Sequence, residues 1–423
     1  MYILVKLVCS FSFIIILIFL ILLFLKNVCI SNLSIFCFND YLIDETRLFL
    51  SLIRFFVILI SYLLSPFSSK SLNLCFLFIT LFSLIVFIRS NIFHIYLFYE
   101  ASLLPITYII IKWGSYPERS LRALILLIYT ALFRFPFIIF MFRSFNTLIR
   151  LDILCLSFLN PDITNLFSLL IFFAFSVKLP IYGLHFWLPI AHVEAPTFGS
   201  IILAGILLKL GGLGLIRLSL LRNISFLYNL SSYLLIFLPI RTLICCIQSD
   251  FKRIIAYSSV SHMIAVPILF LLRNSLRNKA LLIVIFFHGL SSPLLFILVG
   301  LVYSQYGTRQ LSSLRGLVTL NPLLTLIAII MFFITMSAPP FPSFIGEVLF
   351  FVSSYELTPF VVPSLILFAL LSIVYNLHWL SSIFFSSNPP ILKYIFIINY
   401  IYFLSFILRV LMCVVFVFLV SFF

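Results

Sequence analysis

Apolar runs of about 20 residues, the length that spans a bilayer, follow one another along almost the whole chain with short polar breaks between them. Such a chain can bury its surface only in lipid or against more segments of the same kind. Of its 423 residues, 64% are hydrophobic, and Asp, Glu, Lys and Arg together make up 9%. A soluble domain carries about a quarter charged residues. A large soluble domain, a zinc module, a disulfide scaffold and a disordered chain are therefore excluded. Hydrocarbon leaves only helices and closed barrels as spanning structures, and long runs without strand-like alternation read as helices. The expected fold class is all-α: a polytopic membrane helical bundle of about 13 transmembrane helices. The spans are expected near 2–25, 47–64, 72–88, 92–111, 121–142, 163–184, 197–218, 231–247, 252–272, 280–302, 318–338, 360–384 and 394–421.

The net charge of +15 would suggest nucleic acid in a soluble protein. Here Lys252-Arg253 is the longest basic run, and the other cations sit singly in short loops. That is anchoring at a membrane surface, so lipids and not nucleic acid are the expected partner. The cations divide almost evenly between the two sets of loops, so the positive-inside rule assigns no orientation. Eight cysteines show no CxxC, and Cys9, Cys75 and Cys413 lie in apolar runs, as buried free thiols do. Residues 1–25 carry one charge, Lys6, and no small-residue cleavage site, so they read as a first helix and not as a signal peptide. The 53 Phe fit a T-rich coding strand and suggest an organellar gene.

Two places break the helical pattern. Leu179-Pro180 follows Lys178, with Gly183, Pro189 and Pro196 beyond; Ala338-Pro339-Pro340-Phe341-Pro342 follows Ser337, with Gly346-Glu347 beyond. Proline inside a span frees backbone groups, which is tolerated only beside protein or water. Paired interrupted helices point to an internal repeat and to a transport site.

Charges deep in a span cost at least about 2.5–3.5 kcal/mol each on insertion scales and are functional by default. Glu100, Lys209, His262 and His288 lie mid-span, Lys178 lies at the first break, and Glu347 lies just after the second. Each can gain and lose a proton, and desolvation brings buried acids and amines toward neutral titration. A file of such groups joined by water is a proton path. Blander readings stand beside it. Glu100 could simply pair with Arg134, Lys178 could snorkel to the interface, and a lone His could be a hydrogen-bonded core residue. His185, His192 and Glu194 could face water in the break, and Asp250 with Lys252 and Arg253 reads as a solvated turn. Gly211-Gly212-Leu213-Gly214 sits inside a span, where it permits close helix packing rather than phosphate binding.

The run Val177-Lys178-Leu179-Pro180-Ile181-Tyr182-Gly183-Leu184-His185-Phe186-Trp187-Leu188-Pro189, then Ala191-His192-Val193-Glu194-Ala195-Pro196 and Leu208-Lys209-Leu210-Gly211-Gly212, resembles the chain 4 family of NADH-ubiquinone oxidoreductase, the antiporter-like subunits of respiratory complex I. Phe98-Tyr99-Glu100-Ala101, Trp113-Gly114, Tyr257-Ser258-Ser259-Val260-Ser261-His262, His288-Gly289-Leu290-Ser291 and Gly346-Glu347 extend the likeness over about 92–385. It implies a proton-pumping subunit with two inverted five-helix repeats, each with a broken helix. These would lie at 72–218 and 231–385, in one integral membrane domain with N-terminal helices at 1–64 and a C-terminal helix at 393–423. It implies that Glu100, Lys178, Lys209, His262, His288 and Glu347 form the proton path. It also implies no cofactor in this chain, with NADH, FMN, iron–sulfur clusters and ubiquinone held by partner subunits, among them sister antiporter-like chains. The implied location is the mitochondrial inner membrane, multi-pass.

The sequence departs from the family pattern at several points. The N-terminal region looks one helix short, Arg134 stands where a small residue is usual, Ile190 where a lysine is frequent, and Pro293 follows Ser291-Ser292. A subunit of a multi-subunit cation/proton antiporter shares the repeat and is the alternative; a membrane spacer that no longer pumps is a third reading.

Overall fold

A computed structural model describes residues 36–38, 41–43, 57, 70–89, 91–114, 116–145, 169–170, 172–218, 228–272, 276–320, 322–339, 341, 343–355 and 361–385. The spans expected at 2–25 and 394–421, and all but one residue of 47–64, lie outside these. The first described elements are a two-strand ribbon, β1 (Phe36–Phe38) and β2 (Tyr41–Ile43), antiparallel with Phe36 opposite Ile43 and Phe38 opposite Tyr41. These six residues are a small addition to a fold that is helical among the other described residues, as the all-α expectation has it.

Everything else of length is helical: α1 (Lys70–Ile88), α2 (Ile92–Ala101), α3 (Leu103–Trp113), α4 (Arg119–Phe145), α5 (Trp187–Glu194), α6 (Thr197–Ile202), α7 (Leu208–Leu218), α8 (Tyr228–Ile247), α9 (Phe251–Met263), α10 (Ala265–Leu271), α11 (Arg277–Tyr306), α12 (Leu317–Leu320), α13 (Pro322–Thr335), α14 (Ser343–Tyr355) and α15 (Val362–Leu380). Eight segments among the described residues are long and apolar enough to cross a membrane, and 324–335 and 343–355 are shorter apolar helices. Several expected spans prove to be composite. The run 92–111 turns at Ser102 between α2 and α3, and 252–272 turns at Ile264 between α9 and α10. Glu347 belongs to a helix of its own, α14.

Burial sorts the helices into two classes. The span Thr197–Ile216 is 94% buried and Arg277–Tyr306 is 89% buried, whereas Arg119–Ile139 is only 22% buried. Helices α6, α7, α9, α10 and α11 therefore form the centre, and α4 is peripheral, presenting Leu132, Phe135 and Ile139 outward. These central helices are mainly apolar, but α7, α9 and α11 also bury Lys209, Lys252, His288 and several serines. Helix α11 packs on α6, α9, α10 and α14, while α8 packs on α9 and α15.

The glycine cluster in α7 does what its composition suggests. A Cβ on Gly212 would lie 2.6 Å from Ile285 Cδ1, and one on Gly214 would lie 2.2 Å from the ring of buried Phe175. Only glycine lets α7 approach both neighbours. Gly214→Ala is expected to reduce the amount of assembled chain, since overpacking a filled core costs about 1–3 kcal/mol. Native gel electrophoresis checks this, with Phe175→Leu expected to restore part of the loss. Unchanged assembly in the single variant would show that the ring moves aside freely.

Both proline breaks interrupt their helices. Residues 172–176 are helical, 177–186 form turns, and α5 starts at Trp187. Pro180 has no N–H, and Leu179 N donates instead to Ser176 O at 3.0 Å. Ile181 N turns to Leu179 O at 2.9 Å, which leaves Val177 O to accept from the Trp187 indole Nε1 at 2.9 Å. The left-handed Gly183, at φ 87°, closes the loop. Helix α13 ends in a Schellman motif: Ala338 N donates to Phe333 O at 3.1 Å and Ser337 N to Ile334 O at 3.3 Å. Its left-handed position is Ser337, at φ 53°, where glycine is usual.

Candidate functional site

The six titratable residues singled out in the sequence fall into two groups. The first gathers at the Pro180 break. Lys178 is 1% exposed. Its Nζ donates to Tyr99 O at 2.7 Å and lies 3.2 Å from the Tyr99 ring centroid. A side chain so enclosed does not snorkel. Glu100, on α2, places Oε1 3.8 Å from Lys178 Nζ and Oε2 3.9 Å from Arg134 Nε. The carboxylate thus stands between two cations, within Coulomb range of both and beyond hydrogen-bond reach of either. Pairing with Arg134 alone and pairing with Lys178 alone are both incomplete descriptions. Tyr99 ties the group together, because its hydroxyl donates to Phe175 O at 3.2 Å.

The second group spans α7, α9, α11, α14 and α15. The helix from Thr197 to Leu218 widens into one π-turn at Leu203–Leu207, a feature found often at functional sites. The carbonyl of Ala204 in this turn accepts from Lys209 Nζ at 2.6 Å. The same ammonium lies 2.9 Å from His288 Nδ1. If Lys209 donates, His288 accepts at Nδ1 and carries its own proton on Nε2. Across the site, His262 Nδ1 lies 3.2 Å from Glu347 Oε1, and His262 Nε2 lies 3.1 Å from the Tyr375 hydroxyl.

The two histidine rings are 6.4 Å apart, centre to centre. Both line a cavity of about 50 Å³ together with Glu347 and the hydroxyls of Ser258, Ser259, Ser291 and Ser292. On this measure a water needs about 10–15 Å³, so the cavity has room for a few. Ser258, Ser259 and Ser292 each donate to a carbonyl of their own helix at 2.7–2.9 Å. Their oxygen lone pairs remain free to accept from water.

No direct polar contact joins Lys178 to Lys209 among the described residues. The two groups instead meet through packing: Gly211, two residues beyond Lys209, sits against Leu179 and the Tyr99 hydroxyl.

Other charges are placed differently from expectation. Lys252, expected in a solvated turn, is 1% exposed, and its Nζ donates to Val193 O at 3.1 Å and to Ala195 O. The end of α5 leaves those carbonyls without helical donors, and the lysine supplies them. Its neighbour Arg253 stays half exposed and pairs with Asp250 at 3.3 Å. His185, His192 and Glu194 are fully buried and do not face bulk water. Glu194 pairs with Arg122 at 2.5 Å, and His192 stacks on Phe296 with ring centroids 4.7 Å apart. Sequence reasoning missed Tyr375, the Ala204 carbonyl and the burial of Lys252. A tyrosine in an aromatic-rich span, a backbone carbonyl and a lysine beside an arginine carry no distinguishing signal.

Residues 90–374 match the family described as NADH:quinone oxidoreductase/Mrp antiporter, TM. NADH-ubiquinone oxidoreductase chain 4 of Pelomedusa subrufa is 36% identical over 302 residues, 69% of this chain and 65% of that one, so the match spans just under two thirds of that relative's length. The chain 4 of Apis mellifera ligustica is 32% identical over 375 residues, 84% of this chain and 83% of that one. A solved structure of respiratory complex I from Thermus thermophilus with bound NADH contains a chain of the same fold, with a TM-score of 0.80, 22% identity and coverage of 89% and 82%. The polytopic helical bundle with its interrupted helices thus has a known counterpart, and the chain belongs to the chain 4 family of NADH-ubiquinone oxidoreductase, within the NADH:quinone oxidoreductase/Mrp antiporter membrane proteins.

Proposed function

We propose that this chain is a proton-translocating membrane subunit of NADH:ubiquinone oxidoreductase, with a proton path built from Glu100, Lys178, Lys209, His262, His288 and Glu347 in which Glu100 sets the charge around Lys178. The observation that carries the reading is the row Lys209–His288–cavity–His262–Glu347. Amine, two imidazoles and carboxylate come from four helices; the imidazoles and the carboxylate border one cavity inside an apolar bundle, and the amine reaches it through His288. Proton transfer needs hydrogen-bond contact, directly or through one water. The Lys209–His288 and His262–Glu347 contacts meet the first condition, and the cavity between the two histidines has room for the second. Glu100 and Lys178 at the Pro180 break load this row, and Glu347 beyond the second break unloads it, or the reverse. The two breaks mark corresponding places in two inverted repeats, 72–218 and 231–385.

Redox chemistry belongs to other subunits, which hold NADH, FMN, iron–sulfur clusters and ubiquinone, and the whole sits in the mitochondrial inner membrane. The alternative, a subunit of a multi-subunit cation/proton antiporter, shares the family description; the relatives named above carry the chain 4 name. Affinity purification of the tagged chain from its own membranes separates the two readings. Flavin and iron–sulfur absorbance should copurify, and NADH addition to reconstituted vesicles should acidify one side. Copurification with antiporter chains alone, and cation-driven proton exchange without NADH, would replace this reading with the antiporter.

A further inference from the structure

We propose that Arg134 is a positioning residue for the Lys178 step: it keeps Glu100 a carboxylate whether or not Lys178 carries its proton, and so closes the route by which that proton would fall back onto Glu100. The inference rests on the proton-path reading above. Glu100, 9% exposed, is shared by two cations at nearly equal distance, Lys178 at 3.8 Å and Arg134 at 3.9 Å, one at each oxygen. Its Oε2 accepts no hydrogen bond among the described residues. Besides these cations, Tyr96 and Tyr99 of α2 itself are the titratable groups around the carboxylate among the described residues.

A lone Glu⁻/Lys⁺ pair in hydrocarbon has an easy escape. The proton passes from Nζ to the carboxylate, and two buried charges become an amine and a carboxylic acid. A guanidinium cannot give up its proton in a protein. Beside Arg134, neutralising Glu100 would strand an unpaired cation at the membrane interior. When Lys178 releases its proton along the inner path, Glu100⁻ and Arg134⁺ remain as a pair. The trio then alternates between one net positive charge and none, and Nζ regains a proton from the aqueous side. Arg134 thus makes the exchange at Lys178 one-directional with respect to Glu100.

Infrared difference spectroscopy of the assembled complex tests this, reading the protonated-carboxyl band that Glu100→Gln removes. In the unsubstituted complex no such band from Glu100 should appear across the pH range in which it pumps. Arg134→Gln should raise the acid-to-carboxylate ratio of Glu100 about tenfold or more, equivalent to about 1.4 kcal/mol, and lower the proton-to-electron ratio. Arg134→Lys keeps the charge but can itself pass its proton to the carboxylate, so it should show the acid band and restore pumping only in part. An acid band from Glu100 already present in the unsubstituted complex, or none in assembled Arg134→Gln, overturns the inference. Should Arg134→Gln fail to assemble, the unsubstituted complex and Arg134→Lys still decide it through the band. Normal pumping by Lys178→Ala would sink the proton-path reading instead, whatever the band shows.

Discussion

Lys178→Ala should leave a complex that assembles and still carries its cofactors, but whose proton pumping falls by about 100-fold or more, the scale on which losing a positioned proton carrier is felt. Assembly survives because Glu100 keeps Arg134 as a counter-ion at 3.9 Å, and because alanine fits a turn that the Trp187 indole already pins through Val177 O. Pumping is lost because the amine beside Glu100 is gone. The spacing favours a coupled switch over a fixed brace. Glu100 and Lys178 stand 3.8 Å apart, where two charges attract by about 4 kcal/mol at an effective dielectric of about 20. A helix shift of about 2 Å would change that by about 1.5 kcal/mol, or roughly tenfold in a proton equilibrium. A locked, bidentate pair would resist such a shift. Glu100→Gln should reduce pumping in the same way and Glu100→Asp less. Proton-to-electron ratios in vesicles carry the measurement. A normal ratio in Lys178→Ala would reduce the lysine to a packing residue of the break.

Much of this arrangement was legible beforehand, for reasons that differ residue by residue. Apolar runs and proline breaks announce themselves because lipid forbids most alternatives, so the positions of the breaks at Pro180 and Pro339-Pro340 followed from composition. Buried ionisable residues were equally visible, since a Lys209 or His288 in the middle of a span has no bland surface to occupy. Their pairings were not visible. Nothing in the spacing says that Lys209 meets His288, 79 residues away, or that His262 lies between Glu347 and Tyr375. Such contacts depend on how helices cross, which the chain-local pattern does not encode. The π-turn at Leu203–Leu207 was hidden for a related reason: it changes the hydrogen-bond register within an unbroken apolar run and leaves the hydropathy untouched. Lys252 was misread because its neighbour Arg253 does face outward. Adjacent residues on a helix point about 100° apart, so the solvation of one says little about the other.

Lys209 offers the sharpest separation of proton carrier from buried charge. The ammonium is 2% exposed and held by the Ala204 carbonyl and His288 Nδ1. Those partners stabilise a positive charge and also provide the base that receives its proton. Lys209→Met keeps most of the stem volume and removes both functions. It should assemble and lose proton-coupled turnover by about 100-fold in the step Lys209 serves. Lys209→Arg keeps the charge and the donors but cannot release a proton. If Lys209 is only a counter-charge that orients His288, the Arg variant should pump. If Lys209 carries the proton, Arg and Met should fail together, although both complexes assemble and retain NADH oxidation by an artificial acceptor. His288→Gln should match them, because a side-chain amide can bond to the ammonium without taking its proton. Proton translocation in vesicles, scored against assembly on native gels, gives the comparison. Pumping by the Arg variant at close to the unsubstituted ratio would remove Lys209 from the path and leave it as a structural charge at the centre of the bundle.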